Sequence, residues 1–193
     1  MVDATHPYAA TVSGNAWTAC KQTGIPYVSF DRPSTVADSP FIHWTADHDQ
    51  AASLACSFGR HVLLTIGIRN LAPYVAAARL HGITLVARVL DHPSSIEACK
   101  RAGLDLEEIV CANGSFSVAE NASLITQHHI DVLVTKDSGE AGGVPAKIAA
   151  ARDAGCRIVV VKRPLRPQAG FESISDLLQA VRSCLVSVPG DRQ

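Results

Sequence analysis

No Gly-x-Gly-x-x-Gly occurs among the 13 glycines of this 193-residue chain, and no Gly-x-x-x-x-Gly-Lys-Ser/Thr. Counted from Gly139, the second pattern would need Gly and Lys where Val144 and Pro145 stand. The two common short fingerprints for nucleotide phosphates are therefore absent. The six cysteines (Cys20, Cys56, Cys99, Cys111, Cys156, Cys184) contain no Cys-x-x-Cys, and several fall in apolar runs. They read as buried free thiols of a reducing compartment. The 8 histidines make no His-x-x-x-His pair, so no structural metal is expected. A net charge of −1 gives no support for nucleic-acid binding. No apolar run approaches the roughly 20 residues of a membrane span. No basic segment with an apolar core follows Met1, so no secretory signal is read and a cytoplasmic, soluble protein is expected.

What is present is a core-forming composition, 47% hydrophobic and 18% charged. The most informative stretch runs from Ile130 to Pro164. An apolar run, Val132 to Val134, ends in Thr135-Lys136-Asp137-Ser138-Gly139, and Gly142 and Gly143 follow. Pro145 suits a first helical turn. Ala146 to Ala154 is alanine-rich, and Gly155 can end that helix. Ile158 to Val161 is a second apolar run closed by Lys162-Arg163-Pro164. This is a βαβ unit. Its first strand brings two hydroxyls, an ammonium and a carboxylate to the edge where open α/β sheets bind ligands. The glycines permit close backbone approach, and the helix N-terminus favours an anion.

Strand and helix signals alternate along the rest of the chain. Helices are expected over Tyr8 to Gln22, Asp47 to Phe58 with Asp47 near the N-cap, and Leu71 to Leu80. Ser94 to Glu97 and Ser117 to Glu120 read as capping boxes. Strands are expected over Ile25 to Phe30, Phe41 to Thr45, His61 to Ile66, Ile83 to Leu90 and Ile109 to Ala112. Met1-Val2 hardly begins a strand. A last helix spans Ser173 to Val186, and the tail from Pro189 is expected to be loose. The fold class is α/β with two Rossmann-like parallel-sheet domains, residues 1–80 and 81–193, the first incomplete at its N-terminus. A single continuous sheet is the alternative. Basic residues recur near strand ends: Arg32, Arg69, Arg88, Lys136, Lys162 and Arg163. Thr45 and Asn113-Gly114-Ser115 add donors. Parallel strands would gather them at one edge, suited to a ligand rich in carboxylates or phosphates. Trp17 and Trp44 read as packing groups.

These residues resemble the precorrin-6A reductase family. Asp3-Ala4-Thr5-His6-Pro7-Tyr8-Ala9 is similar to that family's opening signature. Thr65-Ile66-Gly67 corresponds to its Thr-Thr-Gly, and Arg88-Val89-Leu90 to its Arg-Val-Leu strand. Gly114-Ser115-Phe116-Ser117 with Asn121 resembles Gly-Pro-Phe-Ser…Asn. Thr135-Lys136-Asp137-Ser138-Gly139, Gly143, Lys147 and Arg163-Pro164 fit its most specific segment. The motifs recur in order over residues 3 to 164. Ser115 replaces a proline, and Ile66 replaces a threonine.

The resemblance implies NADPH-dependent reduction of one double bond of the precorrin-6A macrocycle, or of its cobalt form, giving precorrin-6B in cobalamin biosynthesis. It implies two Rossmann-like domains with ligands between them. The binding residues it points to are Thr5, His6, Thr65, Gly67, Arg88, Gly114, Ser115, Phe116, Ser117, Thr135, Lys136, Asp137, Ser138, Gly139, Gly143 and Arg163. It singles out no catalytic acid and no oligomeric state. Lys147, on a helix, reads as a solvated residue rather than a ligand group. Family members usually begin with a strand and a Gly-Gly-Thr-x-Glu-Ala-like turn ahead of the Asp-Ala-Thr-His-Pro signature. That segment is not in this sequence, so the expectation is a missing N-terminus. A non-catalytic remnant that binds a tetrapyrrole or nucleotide is the second reading, and an unrelated anion-binding α/β domain the third.

Overall fold

A computed structural model describes residues 1–37 and 39–186. In chain order its elements are β1 (Val2–Asp3), α1 (Ala10–Thr23), β2 (Val28–Ser29), β3 (Ile42–Thr45), α2 (His48–Phe58), β4 (His61–Leu64), α3 (Ala72–His81) and β5 (Thr84–Leu90). Then come α4 (Pro93–Ala102), β6 (Ile109–Ala112), α5 (Val118–Gln127), β7 (Val132–Lys136), α6 (Val144–Asp153), β8 (Arg157–Val161) and α7 (Ile174–Val186). The fold is α/β with parallel sheets. The tail from Pro189 lies outside the described residues.

Two compact units divide the chain. Residues Thr35–Lys162 form the larger one, a six-stranded, wholly parallel sheet in the order β3-β8-β7-β4-β5-β6. Its central strands are buried on both faces, as a parallel sheet covered by helices must be. Val62, Leu63 and Leu64 on β4 and Val132, Leu133 and Val134 on β7 are 0–1% exposed. From β4 the chain steps outward through β5 to β6, then returns to lay β7 and β8 on the other side of β4. The strand order reverses between β4 and β7. In a doubly wound sheet that reversal opens a crevice beyond the carboxyl ends of the two strands. The position beyond β8 is filled by β3, which comes earliest in the unit.

The expected boundary at residue 80/81 is corrected by this sheet. His61 to Leu64 pair directly with Thr84 to Ala87, so hydrogen bonding runs straight across it. The other unit comprises Met1–Ser34 and the segment from Arg163 onward. There Val2–Asp3 is a strand after all, paired in parallel with Val28–Ser29. Phe30 forms an isolated bridge with Phe171. Trp17 packs edge-on against Tyr27, with ring centroids 5.3 Å apart.

Local signals explain most helix starts. Asp47 caps α2, accepting from the Gln50 N–H at 2.8 Å. Ser117 and Glu120 make the expected reciprocal capping box on α5. The box expected at Ser94 to Glu97 does not form. Pro93 occupies the first turn of α4, and the His92 side chain caps it through the Ser94 N–H. Proline has no N–H to lose and a preset φ, so it moves the cap two positions earlier, to His92.

Candidate functional site

Three strand-end segments of the larger unit, after β4, β6 and β7, meet near the reversal, with Arg88 of β5 beside them. The turn after β4 holds Thr65, Ile66, Gly67 and Arg69. Gly67 takes the left-handed φ of +80° that this turn requires. Thr65 ties the turn to β7: its N–H and its hydroxyl both donate to Val134 O, at 2.9 and 3.0 Å. The two strands that flank the reversal are thus joined at their carboxyl ends.

The loop after β7 supplies Thr135 to Gly143. Thr135 is 0% exposed, and among the described residues its hydroxyl has no hydrogen-bond partner. Asp137, Ser138 and Gly139 are also buried, and Lys136 is half-buried. Gly139 and Gly143 adopt φ of +75° and +63°. A side chain at Gly142 would collide with the Ser138 hydroxyl, and a Cβ at Gly143 would lie 3.0 Å from the Ser115 Cβ. The loop after β7 therefore packs bare backbone against the loop after β6. That second loop carries Gly114, Ser115, Phe116 and Ser117, and the Phe116 ring supports the guanidinium of Arg88 at 4.4 Å. Arg88 also donates to Asn121 Oδ1 at 2.8 Å, while Asn121 Nδ2 donates to the carbonyls of Phe116 and Ser117. Asn121 so locks the β6 loop to β5.

The crevice is electropositive. Burial, and then the charge of Arg69, pull the Lys136 ammonium below its ordinary pKa. Burial lowers Arg88 as well, with Glu120 partly opposing. Burial and the charges of Arg88 and Lys136 bring Lys147 down to about 8. His48, in the first turn of α2, is lowered by burial and then by Lys136, and its Nδ1 lies 2.9 Å from the Tyr74 hydroxyl. Cations that depress one another in a half-buried crevice favour an anionic ligand. Lys147 is a correction to the expectation of a solvated residue: it is 7% exposed, with Nζ donating to Gly142 O at 2.8 Å.

Thr5, His6 and Arg163 belong to the smaller unit, and Arg32 with them. The six strand-end basic residues therefore do not share one sheet edge. His6 is exposed and accepts from the Tyr8 N–H at 3.2 Å. The Thr5 N–H donates to Asp3 Oδ1 at 3.0 Å. The Arg163 guanidinium donates to the carbonyls of Arg32 and Pro33. Between these lies Arg166, which sequence reasoning missed. It bonds Asp3 Oδ2 at 3.1 Å, Asp31 Oδ1 at 2.8 Å and the Thr5 carbonyl at 3.3 Å. Asp3 is 3% exposed and also accepts from Tyr27 at 2.6 Å. A cavity of about 390 Å³ beside this network is lined by Pro7, Asp31, Arg163, Arg166, Gln168 and Glu172. Asp3, between Val2 and Ala4, hinted at a buried carboxylate in need of a cation, but nothing near it in sequence pointed to Arg166.

Among the described residues, no three His, Cys, Asp or Glu side chains are grouped as metal ligands, and no helix is long and apolar enough to cross a membrane.

Known proteins are similar to this chain. The cobalt-precorrin-6A reductase of Methanothermobacter thermautotrophicus is 34% identical over 197 residues, covering 99% of this chain and 65% of that protein. The cobalt-precorrin-6A reductase of Methanocaldococcus jannaschii is 36% identical over 182 residues, 94% of this chain and 71% of that one. The chain thus spans about two thirds of the length of these relatives. The solved structure of CobK precorrin-6A reductase superposes with a TM-score of 0.76 at 28% identity, over 98% of this chain and 75% of that one. The model of the family described as Precorrin-6x reductase CbiJ/CobK matches residues 1–182, and the chain belongs to that family.

Proposed function

We propose that this chain takes part, in the cytoplasm, in reducing one double bond of precorrin-6A, or of its cobalt form, to precorrin-6B in cobalamin biosynthesis, with NADPH as reductant. The observation that carries the reading is the β4/β7 reversal, where buried and half-buried cations gather at the carboxyl end of β7, the strand that also carries the buried Thr135 hydroxyl, unpartnered among the described residues. Both proposed ligands are polyanions: the macrocycle bears several carboxylates and the dinucleotide bears phosphates. The residues present fit such a group. Gly67, Gly139 and Gly143 keep the backbone bare where a Cβ would stand, and Thr65, Thr135 and Ser138 supply hydroxyls.

When bound, NADPH supplies a hydride, and the second hydrogen of the reduction arrives as a proton. The chain's own residues bind and align. Lys136 and Arg88 draw the anionic arms into the crevice, and Asn121 and Phe116 hold Arg88 at a fixed angle. Orientation of this kind is the main service such a scaffold gives to hydride chemistry. Thr5, His6 and Arg163 are assigned to a second contact region on the smaller unit.

The test is to mix the purified chain with precorrin-6A and NADPH and follow both spectra. Stoichiometric loss of NADPH absorbance with a change in the tetrapyrrole spectrum is expected. Tetrapyrrole binding without NADPH oxidation would make this chain a binding protein rather than a reductase, and absence of both would reject the family activity for it.

A further inference from the structure

Lysine on an alanine-rich helix normally extends its stem and leaves its ammonium in water. Lys147 does not. Val144, Lys147, Ala150 and Ala151 form one face of α6, and all four are 0–7% exposed. An ammonium carries three N–H donors. Among the described residues the one hydrogen bond of Lys147 Nζ goes to Gly142 O. The charges that bear on it are both positive, Arg88 from β5 and Lys136 from β7. Among the described residues, the other ionisable groups on elements packed against α6 do not neutralise it. Glu120 on α5 is engaged by the Ser117 N–H and hydroxyl and acts on Arg88. Glu140, in the short turn before α6, is exposed. Asp137 at the end of β7 is buried, yet it is not among the charges acting on Lys147. A buried ammonium with spare donors, no countercharge among the described residues and two like charges nearby is costly. A fold keeps such a group when something outside the chain neutralises it. Thr135, at the carboxyl end of β7, is a second buried donor with no partner.

We infer that Lys147, with Arg88 and Lys136, forms a buried oxyanion site at the Gly139 to Gly143 loop that takes one phosphate or carboxylate group of the ligand. The inference rests on the functional reading above only for which molecule brings the oxyanion. Two sources share that chemistry: a phosphate of the dinucleotide and a carboxylate of the macrocycle. Lys147 also fastens the loop, through Nζ to Gly142 O and through its own N–H to Gly143 O at 3.3 Å. Binding and loop position are therefore joined in one side chain.

The test is calorimetric and needs no turnover, so its failure is distinct from failure of the reductase reading. NADP⁺ and uroporphyrin, an octacarboxylate tetrapyrrole, are titrated into the wild type, Lys147→Met and Lys147→Arg. Lys147→Met is expected to lose about tenfold or more in affinity for at least one probe, the scale of a charge-assisted hydrogen bond. Its melting temperature without ligand should hold or rise, because an unneutralised buried charge is gone. Loss for NADP⁺ alone assigns the site to a dinucleotide phosphate, and loss for uroporphyrin alone to a macrocycle carboxylate. Lys147→Arg, which keeps the charge, should recover part of the affinity. Wild-type affinity for the responsive probe should fall as pH rises through about 8, with proton uptake on binding above that point, and Lys147→Met should lack both. Unchanged affinity for both probes overturns the inference. So does a lowered melting temperature with affinity per folded molecule preserved, which would make Lys147 a structural fastener. If Lys147→Met fails to fold, Lys147→Gln is read by the same criteria, since its amide can still reach the Gly142 carbonyl.

Discussion

Replacing Gly143 by valine tests whether the loop after β7 works through bare backbone. Two separate costs arise. At φ +63° the residue is left-handed, and any L side chain there costs about 1–2 kcal/mol, with a β-branched residue at the upper end. The new Cβ would also stand 3.0 Å from the Ser115 Cβ and 3.2 Å from its Oγ, so the β6 loop must give way. Overpacking of that kind adds about 1–3 kcal/mol. The sum, about 2–5 kcal/mol, is large beside the ~5–15 kcal/mol stability of an ordinary domain but does not exceed it. The variant should fold, with a lower urea midpoint, and bind NADP⁺ or uroporphyrin at least about tenfold more weakly because the loop has moved. The two costs separate in a double mutant. Ser115→Gly should restore about 1 kcal/mol to Gly143→Val by relieving the contact, while the φ cost remains. Gly143→Asn tolerates the left-handed region and should recover the other share. A Gly143→Val protein with wild-type urea midpoint and wild-type affinity would refute both the packing argument and the loop as a binding element.

Lys136→Ala should weaken anion binding by about 1.5–3 kcal/mol while the melting temperature barely moves, since its charge is already disfavoured by burial and by Arg69. A collapse of thermal stability with affinity retained would make it a structural residue. In the smaller unit, Arg166→Met should destabilise by about 3–5 kcal/mol, because it leaves the buried Asp3 carboxylate without its cation. A urea midpoint close to wild type would sink that argument. Burial pushes the Asp3 carboxyl up, but hydrogen bonds from Ser13, Tyr27 and Thr5 outweigh it and hold the group well below its ordinary 3.8. The stabilisation from Asp3 is therefore complete above its ordinary value and is lost only as pH falls through the depressed one. An acid titration of wild type against Asp3→Asn should show the two curves parallel down to about pH 4 and converging below it.

Local chemistry made the elements legible. Asp47, Ser117 and the Gly155 stop act within one helical turn, so their consequences can be read from neighbours in sequence. Strand pairing cannot. Nothing near residue 81 announces that His61 to Leu64 pairs with Thr84 to Ala87, or that Ile42 to Thr45 joins the last strand of its unit. The βαβ stretch from Ile130 was readable as a site because glycines and polar residues crowd one strand end, and the buried Thr135 and Asp137 stand there. Lys147 was misread because a lysine among alanines looks solvated. Its spacing to Val144, Ala150 and Ala151 marked it as a core-facing position, and that spacing was visible in the sequence. Arg166 lay beyond local reasoning, since its partners Asp3 and Asp31 are 163 and 135 positions away.

Because β3 opens the larger unit and lies beside β8, which closes it, that unit is an insertion within the smaller one. During synthesis the inserted sheet can be completed before the host segment from Arg163 emerges. The host needs Arg166 and Phe171, which emerge after β8, to satisfy the carboxylates of Asp3 and Asp31 and the backbone of Ser29 and Asp31. Folding is then ordered from the inside out. Once the sheet has formed, its entry and exit are separated by little more than one strand length, roughly 13–17 Å at about 3.3 Å per residue. Joining Met1–Ser34 to the segment from Arg163 no longer requires closing a loop of well over a hundred flexible residues, a saving of roughly 3 kcal/mol in chain entropy. The inserted domain thus shortens the loop that its host must close.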